Sequence, residues 1–212
     1  MKWLDLMKLL GRGTMFDASM LLAGLDSASE VRRQLSRWTA SGRLIQLRRG
    51  LYALAPPFAR SSPSVLAIAS RIRKPSYVSL QSALSYHGAT PESTPVITSV
   101  TTGRPGRFET PLGDFLYRHM GPRLFWGYRE VEVGEGERTY VAHPEKALLD
   151  LFYLTPGAIG PSFIRELRLA EDAIDSQRLR QFAKRAARPK LVRAAALTAR
   201  ILGEEKKGEK VV

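Results

Sequence analysis

The chain has 212 residues, 33 of them Lys or Arg against 20 Asp or Glu, which leaves a net charge of +13. Hydrophobic residues make up 44% and charged ones 25%, which excludes wholesale disorder and sets the expectation of one large or two small domains. With no cysteine, disulfides, Fe–S clusters, thiolate zinc sites and cysteine nucleophiles are excluded together. No apolar run approaches the ~20 residues of a membrane span. Asp5 and the lack of a long apolar core argue against a signal peptide, so the expected location is the cytoplasm, with no membrane contact.

The elements follow in chain order. Trp3, Leu6, Met7 and Leu10 stand at helical spacing, and Gly11-Arg12-Gly13 stops that helix. Asp17 reads as the N-cap of a second short helix carrying Met20, Leu21 and Leu22, with Gly24 as its breaker. Ser27-Ala28-Ser29-Glu30 matches the S-x-x-E capping box and opens a third helix, with Val31, Leu35 and Trp38 on one face and Gly42 beyond its end. Leu44 to Leu47 and Leu51 to Leu54 then read as a β-hairpin whose turn is Arg48-Arg49-Gly50. Pro56-Pro57 and Arg60-Ser61-Ser62-Pro63 mark a linker, which divides the chain into residues 1–57 and 64–212.

Beyond the linker, Val65 to Ile72 and Val78 to His87 read as helices, ended by Lys74-Pro75 and Gly88. Val96 to Thr101 is a β-branched run. Phe115–Tyr117, Leu124–Trp126, Val131–Val133 and Thr139–Val141 read as further short strands of a mainly antiparallel sheet. His143-Pro144-Glu145 starts a helix through Leu154. Helical stretches follow at about 161–170, 175–187 and 189–203, and Glu204 to Val212 reads as a frayed charged end. The expected fold class is α+β: a winged helix-turn-helix, then a mixed α+β domain with an antiparallel sheet and a helical C-terminal tail.

Charge is uneven along this plan. Residues 1–60 hold 10 basic and 4 acidic side chains, residues 61–160 hold 10 and 9, and residues 161–212 hold 13 and 7. Two basic ends flanking a near-neutral middle point to a polyanion partner, most often nucleic acid. Three short helices followed by a hairpin with a basic tip is the winged-helix order. With Val31, Leu35 and Trp38 turned inward, the third helix presents Ser29, Arg32, Arg33, Ser36 and Arg37. A helix fits the major groove, and arginine reads guanine bidentately or binds phosphate. Arg43, Arg48 and Arg49 complete the candidate contacts to double-stranded operator DNA, with the last two at the wing tip.

The segments Trp38-Thr39-Ala40-Ser41-Gly42-Arg43-Leu44 and Arg48-Arg49-Gly50-Leu51-Tyr52-Ala53-Leu54 resemble the N-terminal domain of AbiEi-type antitoxins, also described as transcriptional regulators of a viral defence system. Tyr77 to Gly88 resembles that family's Y-[VI]-S-x-x-S-A-L-x-x-x-G helix. Val96-Ile97-Thr98 resembles its strand, and Ala142 to Asp150 its [AS]-x-x-E-K-[AT]-L-[LV]-D helix. The resemblance implies a repressor of its own operon that also counters a nucleotidyltransferase-like toxin. In this type IV arrangement antitoxin and toxin need not form a stable complex.

Nothing in the second domain demands an enzyme, and neither a cofactor, a metal site nor a catalytic residue is expected. His87, His119 and His143 are scattered. Gly103-Arg104-Pro105-Gly106-Arg107 does not match a P-loop, and Glu109 with Asp114 forms a weak acidic pair with no lysine to complete it. Glu145, Lys146 and Asp150 share a helix and read as structural, and Phe125-Trp126-Gly127-Tyr128 reads as core. In the tail, Arg178, Arg180, Lys184, Arg185, Arg188, Lys190 and Arg193 surround apolar Leu179, Phe182, Ala183, Leu191 and Ala195. Lys184, Arg185, Arg188 and Lys190 are its candidate contacts to a polyanion or toxin. Two alternatives stand beside the repressor and antitoxin: a stand-alone winged-helix transcription factor with a ligand-sensing second domain, and a DNA-targeted nuclease.

Overall fold

Helix α1, Trp3–Leu10, opens the computed structural model, which describes residues 2–22, 27–92, 94–134 and 136–209. The Lys2 amide donates to the Asp5 carboxylate (2.8 Å), which closes the first turn. Asp17 does not cap the next helix as expected. It ends strand β1, Met15–Asp17, which pairs antiparallel with Leu51–Ala53, so the hairpin gains a third strand. Helix α2, Ser19–Leu22, follows; its expected stop, Gly24, lies outside the described residues. Helix α3, Ala28–Ala40, starts where the capping box places it, with the Glu30 amide donating to Ser27 Oγ (3.3 Å). Strands β2, Leu44–Arg48, and β3, Leu51–Leu54, form the hairpin, whose turn needs Gly50 at φ +82°.

The β1–β3–β2 sheet is apolar on both faces, and this fixes its place in the molecule. Side chains alternate along a strand. Phe16, Leu44 and Leu54 point to α1 and α3, where they join Leu6, Val31, Leu35 and Trp38. Met15, Leu47, Leu51 and Ala53 point the other way, into the core of the second unit with Ile68, Ile72 and Tyr117. A register shift between Gln46 and Arg48 lets Leu47 reach that second face. The wing sheet therefore contributes to both cores.

The second unit is built on a six-stranded sheet in the order β6-β7-β5-β4-β9-β8. Its strands are β4, Ser76–Val78; β5, Val96–Thr101; β6, Gly106–Thr110; β7, Gly113–His119; β8, Tyr128–Glu132; and β9, Arg138–Ala142. Three antiparallel pairs, β4–β5, β6–β7 and β8–β9, are joined by parallel contacts between β5 and β7 and between β4 and β9. Helices α4, Val65–Ile72, α5, Leu80–Tyr86, and α6, Pro144–Leu154, pack on it with α7, Pro161–Glu166, α8, Ser176–Ala186, and α9, Pro189–Glu209. The fold is mixed α+β, as read from the sequence.

Four local expectations change. The helix read from Val78 begins at Leu80, because Ser76–Val78 is a central strand bonded on both sides. Gly103 to Arg107, not read as a strand, ends in one: Gly106 starts edge strand β6, whose charged Arg107 and Glu109 face outward around Phe108. Leu124–Trp126 is not a strand, since Pro122 starts a 3₁₀ turn, Pro122–Leu124. Helix α9 passes residue 203 and continues to Glu209, with Arg200 and Glu204 paired one turn apart (3.8 Å). Among the described residues no helix is long and apolar enough to cross a membrane.

Candidate nucleic-acid interface

Helix α3 is anchored through Val31, Leu35 and Trp38, all buried, with Trp38 edge-on to Trp3 at 5.1 Å. At about 100° per residue, the five candidate readers fall within an arc of about 140° on the opposite side. Ser29, Arg32, Arg33, Ser36 and Arg37 are all exposed. The three arginine side chains make no hydrogen bond or ion pair among the described residues, so their donors are uncommitted. Ser29 Oγ lies 2.9 Å from Ser27 Oγ, at the N-terminal turn, the end that reaches base edges in helix-turn-helix docking.

The wing divides its two arginines. Arg49 is exposed and its side chain has no partner among the described residues. Arg48 is not at a free tip, contrary to expectation. Its Nε donates to the Ile72 carbonyl (2.8 Å), Nη2 to the Arg71 carbonyl (3.3 Å) and Nη1 to the Arg49 carbonyl (2.9 Å), with Asp17 at 3.5 Å. These bonds cap the C-terminal end of α4 and tie the wing to the second unit, because the last carbonyls of a helix lack internal partners. Arg43 is also spent internally. Its guanidinium lies over Trp3 (5.4 Å) and Phe58 (5.9 Å), which fastens α1 and the linker to the hairpin.

The tail candidates divide the same way. Lys184 and Arg188 are exposed, with no side-chain partner among the described residues. Arg185 lies over the Trp126 ring at 4.3 Å, and Lys190 Nζ donates to the Thr155 carbonyl. Arg178 reaches toward Glu145 (3.8 Å) and Asp175 (3.9 Å). Half of the basic face therefore holds α8 and α9 onto the second unit.

Residues 17–55 match the family model described as transcriptional regulator, AbiEi antitoxin. That similarity lies within the N-terminal unit. The matched segment runs from the end of β1 through α3 and the wing, so it contains every candidate DNA contact named above, and it supports a DNA-binding regulator. The AbiEi description is that of a regulatory antitoxin and not of an enzyme. No curated protein matches the chain.

The motif segments of the second unit lie outside that match, yet the fold brings them together. Lys146 and Asp150, one helical turn apart on α6, form a buried ion pair. Lys146 Nζ also donates to Tyr77 Oη (2.8 Å), and the Tyr77 and Ser79 hydroxyls each donate to Asp150 Oδ2 (2.8 Å). Tyr77 stacks on Tyr128 at 4.6 Å, and Trp126 flanks the ammonium at 5.3 Å. Gly127, at φ +79°, is required: a Cβ there would sit 2.9 Å from Lys146 Cγ. Burial raises the Asp150 carboxyl and lowers the Lys146 ammonium, while each partner opposes the shift of the other. The network is closed to solvent and links α6 to β4 and the start of α5.

Around it, other polar side chains of the second unit have concrete partners. Glu145 Oε1 accepts from the Asp175 amide (3.0 Å) and so tethers α8 to α6. Arg107 bridges Glu109 (3.2 Å) and Asp114 (2.6 Å) across β6 and β7. His87 Nε2 donates to the Ala142 carbonyl (2.8 Å) and His119 Nδ1 to that of Gly103 (3.0 Å). Among the described residues no group of three acidic or histidine side chains is placed to hold a metal. Sequence reading missed the Arg48 anchor and the Tyr77–Lys146–Asp150 link. The resemblance named both motif segments, but nothing in either signals that they meet.

Proposed function

We propose that this chain is a transcriptional repressor that reads operator DNA with α3 and the Arg49 wing, and that it also serves as the antitoxin of a type IV pair. Residues 1–57 form the reader, and residues 64–212 carry the activity against a nucleotidyltransferase-like toxin. The observation that carries the reading is the exposed face of Ser29, Arg32, Arg33, Ser36 and Arg37 lying within the AbiEi-matched segment. A winged helix with uncommitted arginines on that face has the donors that base edges and phosphates accept. The near-neutral middle of the chain, with 10 basic and 9 acidic side chains, has no comparable charge excess.

The test uses the full-length chain, because cutting at the linker would uncover Met15, Leu47, Leu51 and Ala53. A reporter is placed behind the DNA upstream of this gene, and the neighbouring toxin gene is co-expressed in a parallel assay. Wild type is expected to repress and to protect. Arg33→Ala with Arg37→Ala is expected to release the reporter and leave protection intact. A stably folded wild-type chain that neither represses nor protects contradicts the reading, and loss of protection in the double variant contradicts the division of labour.

A further inference from the structure

A cleft of about 1120 Å³ opens where the α1–β1 connection, the linker with α4, and the β8–β9 hairpin meet. Arg12, Arg60, Arg71 and Arg138 line it, one or more from each of these segments. Glu137 is the sole acid among its described lining residues. Both of its oxygens are already held, by the Thr14 hydroxyl (2.5 Å) and the Ser64 amide (2.7 Å), which pin the hairpin to the wing unit and to the start of α4. The arginines are much less committed. Arg12 and Arg60 have no side-chain partner among the described residues. Among the described residues Arg138 meets only Glu130, at 3.4 Å. Arg71 has a long bond to the Met15 carbonyl (3.5 Å), and its Nε is buried with no acceptor.

A buried N–H without an acceptor is costly, and four arginines face a cleft with one acid among its described lining residues. Among the described residues nothing supplies an acceptor to the Arg71 Nε. The geometry points to a binding site for a small phosphorylated ligand of nucleotide size in this cleft. Phosphate oxygens match the guanidinium fork, and arginines spread over three segments suit a ligand with more than one anionic group. The volume is that of a small-molecule pocket. These arginines line a recess away from the α3 face, so the proposed ligand is a free small molecule and not the operator. Bound there, it joins the DNA-reading unit, through Arg12, to the second unit, through Arg71 and Arg138.

The experiment is calorimetric titration of the full-length chain with ADP, ATP and inorganic pyrophosphate as probes, alongside thermal melting with each probe. At least one probe is expected to bind saturably and to raise the melting temperature. Arg12→Ala with Arg60→Ala, both exposed positions outside either core, is expected to weaken that binding at least tenfold with the apo melting temperature unchanged. Arg104→Ala, an exposed arginine outside the cleft, is expected to leave it unaltered. No saturable binding at millimolar concentration overturns the proposal, as does equal binding by the double variant. If that variant binds no probe less well but loses affinity for a random duplex, the arginines belong to the DNA footprint and the proposal also fails. None of these outcomes depends on repression or toxin protection.

Discussion

At the scale of single residues, the second unit depends on a charge pair that water cannot reach. Lys146 and Asp150 neutralise each other, and Tyr77 and Ser79 fill the remaining acceptor sites of the carboxylate. Removing one partner of such a pair leaves an uncompensated charge, a loss of about 3–5 kcal/mol. Lys146→Met is expected to lose that much in urea unfolding. Adding Asp150→Asn should recover part of it, since the amide is neutral and its oxygen still accepts from both hydroxyls. A loss below about 1 kcal/mol for Lys146→Met would show that the pair is not buried in solution. The histidines give a second residue-scale expectation. Burial holds His87 below its ordinary value of 6.5, helped by Arg129. Burial also lowers His143, helped by Arg129 and Arg178, with Glu145 opposing in both cases. The unfolded chain then takes up protons before the folded one does. Their contribution is complete above pH 6.5 and is lost as pH falls below it. The melting temperature is expected to drop between about pH 7.5 and 5.5, and less so in His87→Gln with His143→Gln. A melting temperature that rises on acidification, or the same drop in the double variant, contradicts this assignment.

At the scale of elements, the hairpin turn separates Arg49, the proposed DNA contact, from Arg48, an anchor. Arg49→Ala should reduce the salt slope of DNA binding by about one unit if it neutralises one phosphate, with stability unchanged. Arg48→Ala should do the reverse, because it strips three carbonyl bonds from the wing and α4. Salt titrations and urea melts on the two variants distinguish these outcomes; a slope lowered by Arg48→Ala alone would put the wing the other way round. The sequence made α3 legible because capping residues and a 3.6-residue apolar period both leave a local signature. The hairpin was legible through its Gly50 turn. Strands β1, β4 and β6 were not, for separate reasons. Met15–Asp17 is too short to show a period, Ser76–Val78 merges into the apolar start of α5, and Gly106–Thr110 is masked by glycine, proline and charge. Among the site residues, exposure of the α3 face followed from its buried face. The fates of Arg43, Arg48, Arg185 and Lys190 did not, because each is decided by a carbonyl or ring distant in sequence.

At the scale of the whole molecule, the wing sheet couples the N-terminal unit, the proposed DNA reader, to the rest of the chain. Leu51 is fully buried on the face that enters the second core. Leu51→Ala is expected to cost about 2–5 kcal/mol, as for other large-to-small core changes. The loss should appear in one transition reported together by Trp3 and Trp38 in the reader and Trp126 in the second unit, observed through single-tryptophan variants. Two separate transitions would mean that the units unfold independently. A reader fixed in this way presents α3 on a rigid support, as base-specific contact requires. Fluorescence anisotropy of the full-length chain on DNA upstream of its own gene, against a random duplex at matched salt, tests that most directly. Wild type should bind the upstream DNA about a thousandfold or more tighter than the random duplex. Arg33→Ala or Arg37→Ala should cost about 1–3 kcal/mol on the upstream DNA and much less on the random one. Equal affinity for the two DNAs, or an equal loss on both for each variant, would contradict operator reading by α3.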